Sequence, residues 1–333
     1  MRPIFYGLLG AAALVAVAGG LSIGANSACA QTEIKLGHVG EPGSLLGAVA
    51  DEFAKRANER LGGKAKVLVY GSSQLGGDAD MMKKLKLGTL DLCEPSTVVS
   101  SYVPSFGLFE MPYLVKDREH MARIRDQLVW PQMVPAAEKA GYHILGVWEN
   151  GIRHITNSKH PIKGPEDLKG IKLRVPQGEW RVKMFQAYGA SPSPVAFSEV
   201  FVALQTGVMD GEENPLAQIA SARFYEVQKY LSLTGHVYTP SFLVAGRSWS
   251  RFGPEVQKVL SDVGREMEPV ALKMGADTDA DLLQKMKAAG MQVNEVDKDA
   301  FIKASEPVYK EFSNQVPEGK ALIDKALALG KTS

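Results

Sequence analysis

The sequence predicts an α/β protein built on an open, largely parallel sheet, with enough chain for two domains. Residues 33–94 read strand, helix, strand, helix, strand, the pattern of parallel strands joined by helical crossovers. The 333 residues are 45% hydrophobic and 23% charged, an ordinary globular composition that supports two sizeable cores. Helical spacing persists over 254–289, longer than an ordinary globular helix and long enough to lie across two domains. No Gly/Pro-rich linker divides the chain, so two domains would be joined by more than one crossing.

The first thirty residues read as an export signal. Arg2 makes a weakly basic start, residues 8–23 are an apolar run broken by Gly19-Gly20, and Ala28-Cys29-Ala30 is an A-x-A-type cleavage site before Gln31. No stop-transfer charge cluster follows the run, which argues against a membrane anchor. Cys29 invites a lipoprotein reading, but Asn26 stands three positions upstream where an aliphatic residue is expected. Cleavage leaves Cys93 as the single cysteine, so an intramolecular disulfide is excluded and stability rests on the core.

The mature chain then follows in order. Residues 33–39 alternate as a strand. Ser44 caps a helix over 45–61 that ends at Gly62-Gly63. Residues 65–70 are a second strand, and the glycine-rich loop 71–78 opens a helix to Leu87. Residues 88–94 form a third strand ending in a carboxylate. Ligands of such sheets sit off the carboxyl ends of the strands, where His38, Gln74 and Glu94 fall. Residues 117–140 are helical with a break expected near Pro131, and 142–148 are a strand. Pro165 starts a short helix. Residues 172–174 are a short strand, 178–188 and 198–206 are helices, and 237–246 are an apolar strand able to return to the first domain. After the long helix come a strand at 292–296 and two short helical segments.

Arg174 follows Ile171 and Leu173 in strict alternation, which places a guanidinium at the end of a half-buried strand. Arginine is a poor choice there without an anionic partner, so Arg174 points to an anion site, or else to a structural ion pair. Charge excludes other classes. There are 38 basic and 37 acidic residues, and removing residues 1–30, which hold only Arg2, leaves 37 against 37. A balance this even, without a long basic run, lacks the footprint of nucleic-acid binding or of a polybasic membrane surface. Enzyme motifs are missing too. The sequence has no H-E-x-x-H, G-x-S-x-G or dinucleotide fingerprint. Gly330-Lys331-Thr332 imitates the end of a P-loop, but Lys325 stands where glycine is required. His154 and His160 are six apart, which suits neither a helix face nor a zinc site. Asp210, Glu212 and Glu213 lack the spacing of a calcium loop and read as surface carboxylates near a turn.

Five motifs in fixed order resemble the periplasmic solute-binding proteins of tripartite ATP-independent periplasmic (TRAP) transporters, the DctP family. They are Gln74-Leu75-Gly76-Gly77; Glu149-Asn150-Gly151-Ile152-Arg153; Pro161-Ile162 with Glu166-Asp167-Leu168-Lys169-Gly170; Lys172-Leu173-Arg174-Val175-Pro176; and Leu204-Gln205-Thr206-Gly207 with Asp210-Gly211-Glu212-Glu213-Asn214-Pro215. The likeness spans nearly all of residues 34–329. One small departure is a Glu at 212 or 213 where the family usually has Gln.

The resemblance implies a periplasmic-binding-protein-like fold: two α/β domains closing on a ligand cleft, with a long helix crossing both. It places the signal at 1–30, the first domain at 31–150 plus about 240–280, and the second at about 151–239 plus about 281–333. It implies that Arg174 binds a ligand carboxylate, a role suited to the bidentate guanidinium fork. Arg153 is expected to touch the ligand or hold the pocket wall. Asn214 is expected to contact the ligand or to turn the chain before Pro215. Phe197 packs on the ligand or in the core. Glu94, as an ionised acceptor, suits hydroxyls or an ammonium and repels a second carboxylate. Gln74, His38, Asp78, Trp148 and His236 are weaker candidates.

The implied function is capture of a small-molecule carboxylate in the periplasm by a monomer that delivers it to the small and large membrane subunits. An ion gradient drives the family, without ATP, and no cofactor is expected. A sugar acid or hydroxylated monocarboxylate is preferred. The alternatives are a C4-dicarboxylate in the same role, which two Arg would suit, or a binding protein that feeds a sensor. A secreted hydrolase or lyase would need a nucleophile, metal or acid–base pair that the sequence does not offer.

Overall fold

The computed structural model describes residues 31–331, so the expected export signal at 1–30 and Thr332 of the P-loop imitation lie outside the described residues. The chain enters as β1 (Thr32–Gly37), α1 (Leu45–Leu61), β2 (Ala65–Tyr70), α2 (Asp78–Leu87) and β3 (Leu92–Cys93). β1 pairs in parallel with both β2 and β3, as the βαβαβ reading requires. α1 forms because its apolar residues recur every three or four positions, burying Leu46, Val49, Ala50, Phe53 and Ala57 on one face. Ser44 accepts from the Gly47 amide at 3.1 Å at one end, and Gly62 takes the left-handed conformation, φ 56°, at the other. β3 is two residues long, shorter than expected, because the chain turns away after Cys93 into 3₁₀ turns at Thr97–Ser101 and Pro104–Glu110.

Next come α3 (Arg118–Ile124) and α4 (Val134–Lys139), joined by π-helical turns over Arg125–Met133. The expected break at Pro131 is absorbed by this wider winding, which frees the backbone from the i−4 bond that proline cannot make. β4 (His143–Asn157) runs through the predicted strand and on across the motif that follows it. The chain continues with β5 (Lys172–Val175), α5 (Glu179–Ala187), β6 (Ser191–Pro194), α6 (Phe197–Gln205), β7 (Gly211–Pro215), α7 (Leu216–Ser221) and β8 (Tyr230–Ala245). The long helix α8 (Pro254–Ala288) passes Pro269 and Gly275 without interruption. β9 (Gln292–Asn294) precedes α9 (Lys298–Ala304), α10 (Glu306–Gln315) and α11 (Gly319–Leu329), three helices where two segments were expected.

The described strands make one sheet, ordered β2-β1-β3-β8-β4-β7-β5-β6, with β9 on β8. It is mixed, not largely parallel. β8 is antiparallel to β3 and β4, and β4 is antiparallel to β7, while β5 is parallel to its neighbours β6 and β7. Two lobes result. β1–β3 with α1 and α2 form the first, β5–β7 with α5 and α6 form the second, and β4 and β8 run through both. β4 is irregular where it crosses, with register shifts between Ile144/Gly146, Glu149/Gly151 and Arg153/Ile155.

α8 lies across β4 at very close range. The Gly264 carbonyl accepts from the Trp148 indole at 2.8 Å, and Glu268 accepts from the Val147 amide at 3.1 Å. Further along, Arg118 joins Glu149 of β4 to Asp279 of α8, each at 2.7 Å. α11 is held to the residues around α3: His120 Nε2 meets the Ala326 carbonyl at 2.8 Å, and Lys116 donates to the Gly330 carbonyl at 2.7 Å. The C-terminal helix is thus bound to segments near residue 120.

Candidate functional site

A cavity of about 50 Å³ opens between the lobes, and both contribute to its wall. Asp78, Glu94 and Thr97 come from the first lobe, Asn150 and Arg153 from β4, and Arg174, Phe197, Asn214 and Gln218 from the second. The lobes touch beside it. A Cβ built on Gly77 would lie 3.8 Å from that of Ala196, and one on Gly178 would lie 3.7 Å from the Thr97 methyl.

Arg174 ends in this cavity because β5 alternates, sending Leu173 and Arg174 to opposite faces of the sheet. It is 3% exposed. Its Nε donates to the Val195 carbonyl at 2.9 Å, and its Nη atoms have no hydrogen-bond partner among the described residues. The Phe197 ring centroid lies 5.9 Å from its Cζ. Burial lowers Arg174 to about 10 against the pull of Glu212 and Glu213, so it remains a cation at neutral pH. A buried guanidinium with its fork uncommitted is suited to a bidentate carboxylate.

Behind it lies a buried ionic network. Arg153 donates from Nε to Glu213 Oε2 at 2.6 Å, and from Nη2 to Glu213 Oε1 and to Asn214 Oδ1 at 3.0 Å each. Arg181 of α5 bridges Glu213, at 2.6 Å, and Glu110, at 2.8 Å. His236 Nε2 lies 3.0 Å from Glu213, and its Nδ1 lies 2.8 Å from the Thr234 hydroxyl. Burial alone would raise Glu213, but Arg153 and Arg181 outweigh it and hold its carboxyl well below the usual range. Burial pushes His236 down to about 4, so its ring is neutral and can donate from Nε2 to Glu213.

These contacts correct the reading of Glu212 and Glu213 as surface carboxylates. Both are fully buried in β7, whose five residues are all buried. Glu212 accepts from the Thr156 hydroxyl at 2.8 Å and from the Asn214 amide, and burial raises it to about 7. Asn214 sits in the strand, with no turn before Pro215. Its two polar atoms engage Arg153 and Glu212 while its side chain faces the cavity.

Glu94 is fully buried. Its Oε1 accepts from the Ser241 hydroxyl at 2.8 Å, and its Oε2 has no partner. Burial raises its pKa well above the ordinary range, which favours the neutral acid over the ionised acceptor. Asp78 is raised to about 7 by burial, opposed by Arg174. Gln74 is exposed and outside the cavity wall, and His38 also lies outside it, accepting from the Gly40 amide at 3.1 Å. Trp148 holds α8, and His236 belongs to the network behind Arg153.

Sequence reasoning missed Thr97, Asn150, Gln218, Arg181 and Glu110. An arginine beside Trp180 on a helix whose buried face holds Met184 and Phe185 was the one legible signal among them. The missed wall residues matter because of their loose ends. Asp78 Oδ1, Glu94 Oε2, Thr97 Oγ1, Asn150 Oδ1 and Gln218 Oε1 are buried without a hydrogen-bond partner, and all five residues line this cavity. Asn150 spends its amide on Ser96 and Thr239, at 3.2 and 3.3 Å, which turns its oxygen toward the cavity. Buried polar atoms without partners are rare, and five on one wall mark a surface built to bond a polar guest. The cavity therefore pairs a cationic fork with a wall rich in oxygen atoms.

Comparison with known proteins agrees. Residues 36–315 match the family described as bacterial extracellular solute-binding protein, family 7 (DctP). The chain is 36% identical over 87% of its length to an uncharacterised protein of Sinorhizobium fredii, and spans about half, 54%, of that relative. It is 32% identical to the 2,3-diketo-L-gulonate-binding periplasmic protein YiaO of Escherichia coli, covering 91% of this chain and 94% of that one. Among solved structures, it is similar to a TRAP periplasmic solute-binding protein from Polaromonas sp JS666 bound to D-erythronate. That likeness has 34% identity and a TM-score of 0.86, covering 91% of this chain and 100% of the other. A sugar acid binding protein of Advenella mimigardefordensis in complex with galactonate has 29% identity and a TM-score of 0.86, covering 90% and 98%. A TRAP solute-binding protein of Sulfurospirillum deleyianum with bound succinate has 34% identity and a TM-score of 0.85, covering 90% and 99%.

Proposed function

The chain belongs to the DctP family of TRAP-transporter solute-binding proteins, and from that premise we propose that it captures a hydroxylated monocarboxylate and delivers it to TRAP membrane subunits. The observation that carries the ligand class is the polarity of the cavity. Arg174 offers one uncommitted cationic fork, while Arg153 is neutralised by Glu213. Across from the fork stand oxygen atoms without partners, suited to hydroxyl groups. Glu94 serves the same end through its unpartnered Oε2, accepting from a hydroxyl or, when protonated, donating to one. One free cation with a ring of oxygens fits one carboxylate and several hydroxyls better than two carboxylates.

The function is binding and hand-over, with no catalytic step assigned to any residue. We place the working protein in the periplasm, with residues 1–30 as its export signal; the N-terminal sequence of the secreted protein tests this. We assign its domains as 31–150 plus about 240–280 and about 151–239 plus about 281–333. Closure around the ligand is favoured only by contacts that the closed form gains.

The test is a thermal-shift panel of D-erythronate, galactonate, 2,3-diketo-L-gulonate and succinate on the purified protein. A ligand at a hundredfold excess over Kd stabilises the native state by about 2.7 kcal/mol. The expected result is a shift with a hydroxylated monocarboxylate that exceeds the shift with succinate. Arg174→Ala should weaken binding about 10–100-fold, the equivalent of a charge-assisted bond worth about 1.5–3 kcal/mol. A larger shift with succinate, or a shift that survives loss of Arg174, would refute the reading.

A further inference from the structure

Asp78 and Arg174 reach the cavity from opposite lobes. Asp78 opens α2 in the first lobe, and Arg174 stands on β5 in the second. Each is left with uncommitted atoms. Asp78 Oδ1 is buried with no partner, and the Nη fork of Arg174 has none among the described residues. A buried carboxyl and a buried guanidinium thus share one small cavity with no hydrogen bond between them.

A ligand carboxylate seated on Arg174 puts a second anion into that cavity. Two carboxylates cannot share one buried cation without cost, and the usual outcome is that one of them is protonated. We infer that Asp78 is a proton-linked specificity residue: in the ligand-free protein its carboxylate, where ionised, is the counter-charge of Arg174, and it takes a proton from solvent when an organic anion's carboxylate occupies the guanidinium. In the complex the Asp78 carboxylic acid donates to a ligand oxygen. This rests on the proposed function, since it needs an anionic ligand at Arg174.

The groups around Asp78 leave it as the one that responds. Burial raises both Glu94 and Cys93, on the strand-end beside it, and so favours their neutral forms. Glu213 is ionised and matched by Arg153 and Arg181. Glu212, next to Arg174 in the sheet, also titrates near 7, but both of its oxygens already accept bonds, from Thr156 and Asn214. On its own helix, Asp80 is exposed and Lys84 donates to the Leu75 carbonyl at 2.8 Å. Asp78 is held at about 7 by burial against the opposing pull of Arg174, whereas a free organic acid titrates near 3–4 and stays ionised.

The sign follows. A carboxyl protonated in the complex and titrating near 7 without ligand favours binding at low pH, and affinity is lost as pH rises through 7. Calorimetric titrations with D-erythronate, galactonate and succinate at pH 6 and pH 8 should give a Kd weaker by about tenfold at pH 8. Titrations at pH 7.5 in phosphate and in Tris should reveal net proton uptake per ligand bound. Asp78→Asn should flatten the pH dependence and abolish the uptake, while Glu212→Gln should retain both. Binding with a flat Kd and no proton uptake in the unmodified protein would overturn this inference and leave the proposed function standing. A slope lost in Glu212→Gln and kept in Asp78→Asn would overturn the assignment to Asp78. No binding of any of the three acids at either pH would overturn the proposed function and this inference together.

Discussion

At the scale of single residues, the site works by deciding which charges are matched. Glu213 is fully buried and answers two guanidinium groups and an imidazole, so it holds Arg153 in place and leaves Arg174 as the uncommitted cation. Removing one member of a buried ionic set exposes the others to an uncompensated desolvation cost of about 3–5 kcal/mol. Glu213→Gln is therefore expected to lower unfolding stability by that amount at pH 7, read from the urea midpoint. Because the folded protein depresses the Glu213 pKa, its contribution is complete above the ordinary carboxylate range and is lost as pH falls below it. The variant should accordingly show a flatter acid limb than the unmodified protein. A cost under about 1 kcal/mol would mean that Glu110 and solvent can replace Glu213 around Arg181. The alternation of Arg174 was readable in the sequence because it is local. The partners of Glu213 were not, because they come from β4, α5 and β8, far apart in the chain.

At the scale of elements, the long helix depends on glycines where it crosses the sheet. A Cβ on Gly146 of β4 would come within 2.6 Å of the Gly264 carbonyl oxygen, and one on Gly264 would strike the Leu145 carbonyl. Backbone stands on both sides, so neither clash is relieved by turning a side chain. Gly264→Ala should thus cost about 1–3 kcal/mol, the range for overpacking, despite the better helix propensity of alanine. A gain in stability, measured by urea unfolding, would show that helix and strand can separate freely. The length of α8 was legible from its periodicity, and so was the capping of α1. The length of β4 was not, because its bulges interrupt the alternation that marks a strand.

At the scale of the whole molecule, the proposed mode of binding needs two lobes to meet. They come near each other beside the cavity, at Gly77 against Ala196 and at Gly178 against Thr97. Gly77 has φ −70°, which any residue can adopt, so a side chain there tests closure without backbone strain. Gly77→Phe should hold the lobes apart, weakening ligand binding tenfold or more while unfolding stability without ligand changes by less than about 1 kcal/mol. Small-angle scattering should show less compaction on ligand addition than in the unmodified protein. Unchanged affinity and compaction would place the closing contact elsewhere.

By itself the sequence determined the α/β class, the long helix, the short strand that carries Arg174 and the membership of a binding-protein family. These are properties of local periodicity, capping and motif order, which are written in adjacent residues. Only the tertiary structure decided that the sheet is mixed, that Glu212, Glu213 and Glu94 are buried, and that Asp78, Thr97, Asn150 and Gln218 join Arg174 around one cavity. Burial, protonation and hydrogen-bond satisfaction depend on which distant segments pack together, and β4 and β8 bring those segments together by running through both lobes.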